Sequence, residues 1–110
     1  RAMTIVKTQF ADPLLSAATV ASQSQVSIRQ LERIFRARGT TIVAELRSAR
    51  LAHASDMLRD PRYAQLSVRR VAHASGFSNG SSLARAMRAA GLTAPNEIRA
   101  AEARSLAMSY

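Results

Sequence analysis

Apolar side chains recur along this chain at helical spacing, in short bursts punctuated by serine, proline and glycine. Met3, Val6 and Phe10 fall at i, i+3 and i+7, which predicts a first helix from about Thr4 to Phe10. It should stop at Asp12-Pro13, because a residue before proline is biased away from the α region. Ser16 is placed to cap a second helix running to about Ser22, and Ser27 to cap a third, each oxygen accepting from first-turn amides that have no partner within the helix. The third helix covers Ile28 to Arg38 and ends at Gly39, a residue suited to the left-handed turn that closes many helices. On it Leu31, Ile34 and Phe35 form the predicted apolar stripe, while Arg29, Glu32, Arg33 and Arg36 point elsewhere.

From Ile42 to Arg59 no glycine or proline interrupts the chain, and the apolar positions fall into two groups. Ile42, Leu46 and Ala49 lie within about 60° of one another on a helical projection, whereas Leu51, Ala54 and Leu58 cluster roughly 140° around from them. One core cannot account for both groups. The pattern predicts a linker helix whose first half packs on one small core and whose second half packs on another; a helix buried on several sides is the alternative. Asp60-Pro61-Arg62-Tyr63 then breaks it. Ser67 should cap a fifth helix with Val68, Val71 and Ala72 inward, Gly76-Phe77-Ser78-Asn79 form a turn, and a sixth helix run to Ala90 before Gly91. After Pro95 a final helix through Ile98 is predicted, with Leu106 and Met108 in a tail.

The second half repeats the first. SIRQLERIFRARG at 27–39 is echoed by NGSSLARAMRAAG at 79–91, pairing Leu31 with Leu83, Arg33 with Arg85, Phe35 with Met87, Arg36 with Arg88 and Gly39 with Gly91, all 52 positions apart. Upstream, Leu15-Ser16 pairs with Leu66-Ser67, Val20-Ala21 with Val71-Ala72 and Val26-Ser27 with Phe77-Ser78, at an offset of 51. Each unit is a short helix, a turn and a longer helix carrying paired arginines. Such internal repetition, matched at core and cationic positions, predicts a tandem nucleic-acid reader.

Composition narrows the class. Only 5% of the 110 residues are aromatic and none is Trp, so burial must come from aliphatic residues and alanine, which favours closely packed helices over sheets. A net charge of +9 implies an anionic partner, and 15 of the 16 cations are Arg, whose planar fork suits phosphates and guanine edges. Genomic composition bias is the competing explanation for that arginine content. Without Cys there is neither a disulfide framework nor a thiolate metal site, which fits a reducing interior. No run is long enough to span a membrane and no signal peptide is recognisable. Because Met3 already belongs to a helical pattern, the natural chain is expected to begin further upstream.

A helix-turn-helix braces its first helix across the nucleic-acid backbone and presents the start of its second to base edges in the major groove. Residues 67–78 meet its packing needs, with Ala72 where the helices approach and Gly76 free to adopt a positive φ. Residues 16–27 have the same span with Ala21 in the matching place, but Gln25 stands in the turn where the second unit has glycine. Catalytic groupings are missing: there is no Ser/His/Asp arrangement, glycine-rich phosphate loop or paired-carboxylate spacing. His53 and His73, without supporting carboxylates, do not make a metal site, so neither enzyme activity nor a cofactor is expected.

SIRQLERIFRARG, ARLAHASDML and LSVRRVAHASGFSNGSSLARAMRAAGLTAPNEIR together resemble the DNA-binding domain of the arabinose-regulator (AraC/XylS) transcription factors, over roughly residues 12 to 99. Its most specific part is the second unit, with Gly-Phe-Ser, a polar stretch, an arginine-bearing helix and Pro-x-Glu; Arg50-Leu51 followed by Ala54 and Leu58 resembles the family's linker signature. Departures include a shortened interval from Phe35 or Met87 to glycine, and Leu83, Met87 and Ile98 where the family favours aromatics. The resemblance implies an all-α fold of about seven helices in two helix-turn-helix subdomains, 1–41 and 60–110, joined by a linker helix at 42–59. It further implies entry into successive major grooves of double-stranded DNA, contact with RNA polymerase, an effector or dimerisation domain upstream, and a cytoplasmic, nucleoid-associated location.

Carried over position by position, the base-facing candidates are Arg29, Gln30, Glu32 and Arg33 in the first unit and Asn79, Gly80, Ser81, Ser82, Ala84 and Arg85 in the second. Phosphate candidates are Ser16, Ser27, Arg36, Ser67, Ser78 and Arg88. Arg47, Arg69 and Arg70 read as solvated or phosphate-facing residues. Arg33 and Arg85 could instead pair with carboxylates such as Glu32, Glu45 or Glu97. Two rival readings remain: a basic helical module docking acidic protein surfaces, and an RNA binder, which the scarcity of stacking aromatics disfavours.

Overall fold

Seven α-helices and one 3-10 turn follow one another in the computed structural model, which describes residues 1–108: α1 (Ala2–Gln9), α2 (Ala17–Gln23), α3 (Ile28–Ala37), α4 (Ile42–Arg59), the turn Pro61–Tyr63, α5 (Val68–Ala74), α6 (Gly80–Ala89) and α7 (Pro95–Met108). No strand occurs among the described residues. Helices α2 to α6 begin where side-chain oxygens are available. Ser16, Ser27, Thr41 and Ser67 each accept from the backbone amide three residues on, and the amides of Ser16 and Ser27 in turn donate to the side-chain oxygen of that third residue. Each such cap is worth about 1 kcal/mol.

Two separate cores lie along α4. Ile42 and Leu46 join Ile5, Val6, Leu15, Val20, Ala21, Leu31 and Phe35 in the first. Leu51, Ala54, Met57 and Leu58 join Val71, Ala72, Leu83, Met87 and Ile98 in the second. The two angular groups of apolar positions on this helix therefore serve different clusters. Such an arrangement makes an elongated body: the principal extents are 53 × 23 × 22 Å and the radius of gyration is 15.9 Å, against about 13 Å for a compact chain of this length.

Several sequence expectations need correcting. Ile34 is not part of the buried stripe but is 49% exposed, because the elements covering α3 close over Leu31 and Phe35 and leave the flank of the helix open. The first helix starts at Ala2, and its buried residues are Ile5 and Val6, with Met3 and Phe10 packed at the margin. The C-terminal tail is helical as far as Met108, since 99–108 holds strong helix formers and neither glycine nor proline. Residues 109 and 110, the end of the expected tail, lie outside the described residues.

The two turns share one backbone scheme. Val26 donates to the Ala21 carbonyl at 3.0 Å and Phe77 to the Ala72 carbonyl at 2.9 Å, with Gln25 at φ 58° and Gly76 at φ 92° in equivalent places. The exits of α3 and α6 match as well: Thr40 donates to Phe35 and Leu92 to Met87, around Gly39 and Gly91 at positive φ. Glycine adopts such angles without steric cost, whereas glutamine does not. Gln25→Gly is therefore expected to raise stability by about 1 kcal/mol, seen as a higher urea midpoint at an unchanged m-value. A midpoint lower than that of the parent would show that the Gln25 side chain contributes more than its backbone strain costs.

Candidate nucleic-acid interface

The two longer helices of the repeat, α3 and α6, have the same build. Leu31 and Phe35 on α3, and Leu83 and Met87 on α6, are buried almost completely. Residues on the opposite side are consequently turned outward. Arg29, Glu32, Arg33 and Arg36 are all exposed on α3, at i, i+3, i+4 and i+7. Ser81, Arg85 and Arg88 are exposed on α6, with Ala84 half-buried beside them. Each unit thus presents one polar stripe backed by its own core.

The cationic side chains of these stripes are not used up inside the protein. Among the described residues the ion pair is Arg62 with Asp60 at 2.7 Å, in the 3-10 turn, where hydrogen bonds from Arg62 hold the Asp60 carboxyl below the usual carboxylate range. Arg33 and Arg85 have no such partner among the described residues, so the ion-pair alternative with Glu32, Glu45 or Glu97 does not describe them. Arg85 does make one bond, from Nη2 to Ser82 Oγ at 3.4 Å. It is long enough to yield readily to a better acceptor.

The remaining candidates have local duties. Ser27 and Gln30 cap α3 reciprocally: Gln30 N donates to Ser27 Oγ at 3.1 Å and Ser27 N to Gln30 Oε1 at 2.9 Å. Gln30 therefore keeps its amide NH2 and one lone pair of Oε1 for another partner. On α6 the cap is Asn79, whose Oδ1 accepts from Ser82 N at 2.8 Å. Ser78 precedes it, with its hydroxyl 3.2 Å from Ser82 Oγ and its carbonyl on the His73 ring at 2.8 Å. This explains the change of offset in the repeat. Ser27 corresponds to Asn79, and Ser78 is an extra residue in the second turn. Gly80 is half-buried near Val68, with ordinary contact distance for a β-carbon at 3.6 Å. Ser16 and Ser67 sit at the starts of α2 and α5, where unpaired amides and the helix dipole favour an anion.

One residue that the sequence reads only as solvated or phosphate-facing lies beside this surface. Arg47, on the first half of α4, lines an open cleft with Arg50, Phe77, Ser82 and Arg85. Arg47 and Arg85 thus share one concave surface, between the linker and α6. Helical spacing within either unit could not bring them together, because the meeting depends on how the second unit docks against α4. Arg69 and Arg70 are exposed at the start of α5, and with Ser67 and His73 they line a second shallow depression.

Comparison with known proteins agrees with this geometry. The helix-turn-helix domain family matches residues 20–101. Among solved structures, the C-terminal domain of AraT, a response regulator from Geobacillus stearothermophilus, superposes with a TM-score of 0.81 at 24% identity, over 92% of this chain and 82% of that one. A DNA-binding transcriptional dual regulator from Escherichia coli K-12 superposes with a TM-score of 0.75 at 21% identity, over 89% of this chain and 90% of that one. A search of curated protein sequences gave no match. The repeated helix-turn-helix units, the linker between them and the family match over most of the length lead to one assignment: the chain belongs to the AraC-type helix-turn-helix family.

Proposed function

We propose that this DNA-binding regulator domain recognises a specific duplex sequence by inserting α3 and α6 into successive major grooves on one face of the helix. The observation that carries the reading is the pair of outward arginine-bearing stripes, each backed by a separate core and, among the described residues, outside any ion pair. Successive major grooves recur at about 34 Å along one face of DNA. A body 53 Å long can span that interval as a monomer.

Within the proposed interface, Arg29, Arg33 and Arg85 read base edges, guanine O6 and N7 being the acceptors that suit a guanidinium fork, and Glu32 can accept from cytosine N4. Arg36 and Arg88, one turn further along each helix, neutralise phosphates together with Arg47 and the starts of α2 and α5. Apart from Arg85, α6 offers short side chains at Gly80, Ser81, Ser82 and Ala84. The first unit should therefore carry more direct readout, and the second more recognition of shape and backbone.

Selection of bound sequences from random duplexes tests the reading: a bipartite consensus supports it, and the absence of any preferred sequence rejects it. Against the selected site, Arg33→Ala is expected to cost about 1 to 3 kcal/mol and to relax preference at one base pair. Uniform weakening on all sequences would reassign Arg33 to phosphate contact.

A further inference from the structure

One guanidinium joins three segments that are far apart in sequence. Arg50, in the middle of α4, donates from Nε to the Phe10 carbonyl and from Nη2 to the Asp12 carbonyl, each at 2.8 Å. Both acceptors lie where the chain leaves α1. On the other side is the second turn: a β-carbon on Gly76 would stand 2.5 Å from the same Phe10 oxygen and 2.6 Å from Arg50 Nε. Two further contacts close the joint. His53 Nδ1 lies 2.9 Å from the hydroxyl of Ser75, which is fully buried, and the His53 and Phe10 rings meet with centroids 5.0 Å apart.

Apart from this joint, the angle between the halves is set by their shared packing on α4. Among the described residues, α1, α2 and α3 pack on one another and on α4, and α5, α6 and α7 do likewise, without extensive packing between the two sets. Over the ~34 Å between successive grooves, a swing of ~10° would displace the far helix by ~6 Å, well beyond hydrogen-bond tolerance. Burial lowers the pKa of Arg50, and Asp12 opposes that shift. The guanidinium remains charged at neutral pH, as arginines in proteins do.

We propose that Arg50 is a positioning residue that fixes the distance and phase between α3 and α6, and thereby the separation of half-sites that the domain accepts. This rests on the bipartite reading above. The test uses Arg50→Met, which keeps the aliphatic stem and removes both hydrogen bonds, on duplexes carrying the full selected site, one half-site, or half-sites moved apart by one or two base pairs. Full-site affinity should fall about tenfold while half-site affinity stays within about twofold of the parent, because only the linkage between two binding events is lost. Preference for the selected spacing should flatten. Equal losses on full and half sites would overturn the proposal, as would an unchanged spacing preference.

A second measurement needs no DNA. The chain has no cysteine, so Ala37→Cys with Ala89→Cys, both at exposed positions, places two spin labels at defined points. Arg50→Met should broaden the distance distribution between them, and an unbroadened distribution overturns the proposal. If Arg50→Met does not fold, Arg50→Lys decides, because it keeps the charge but reaches one carbonyl at a time; it too should broaden the distribution. Should the parent protein show no bipartite preference, the functional reading fails, while the spin-label distances still decide the role of Arg50.

Discussion

Duplex affinity should drop about a thousandfold when monovalent salt rises from about 50 to about 200 mM. The expectation follows from counting cations that no carboxylate neutralises. Arg36, Arg38, Arg47, Arg69, Arg70 and Arg88 are exposed and, among the described residues, outside any ion pair. If about six phosphates are neutralised, each releases about 0.9 of a condensed counterion, and log affinity falls against log salt with a slope near −5. Fluorescence anisotropy across a salt series measures that slope directly. A slope near zero for folded protein would remove the electrostatic basis of the proposed function; a steep slope with equal affinity for every duplex would retain phosphate binding but reject sequence reading.

The second large effect is expected at Gly76. Alanine there meets two independent penalties: a φ of 92°, which side chains with a β-carbon rarely adopt, and a β-carbon 2.5 Å from the Phe10 carbonyl. Backbone strain of this kind costs about 1 to 3 kcal/mol, and overpacking against immobile backbone a similar amount. Gly76→Ala should thus destabilise the domain by about 3 kcal/mol or more, which for a chain of this size lowers Tm by more than about 10 °C. Gly39 offers the control. It shares a positive φ of 76°, but a β-carbon there would meet nothing within 4 Å, so Gly39→Ala incurs the strain alone. Equal losses at the two positions would show that the close approach at Gly76 is relieved by movement of the Phe10 carbonyl together with the Arg50 side chain.

Much of this architecture was readable from local chemistry. The caps at Ser16, Ser27 and Ser67, the exits at Gly39 and Gly91 and the divided apolar pattern of α4 each depend on residues within a few positions of one another. What escaped depends on distant partners. Ile34 fits a helical stripe, but its exposure is decided by where other helices stop covering α3. Arg50 carries no sign in its neighbourhood that its acceptors lie 38 and 40 residues upstream. Arg47 joins Arg85 only through docking of the second unit. At Ser78 the difficulty was one of register: the change in repeat offset was visible, but the structure was needed to show that Asn79 takes over the capping role.

Two cores strung on one helix also bear on how long such a domain stays bound. If α3 and α6 bind as proposed, α4 holds both units in one chain, so release of either helix leaves the other engaged and the freed one at high effective concentration near its groove. Departure should therefore pass through half-attached states. Free competitor DNA can capture the loose half, so dissociation should quicken as competitor concentration rises, even though no new contact is made.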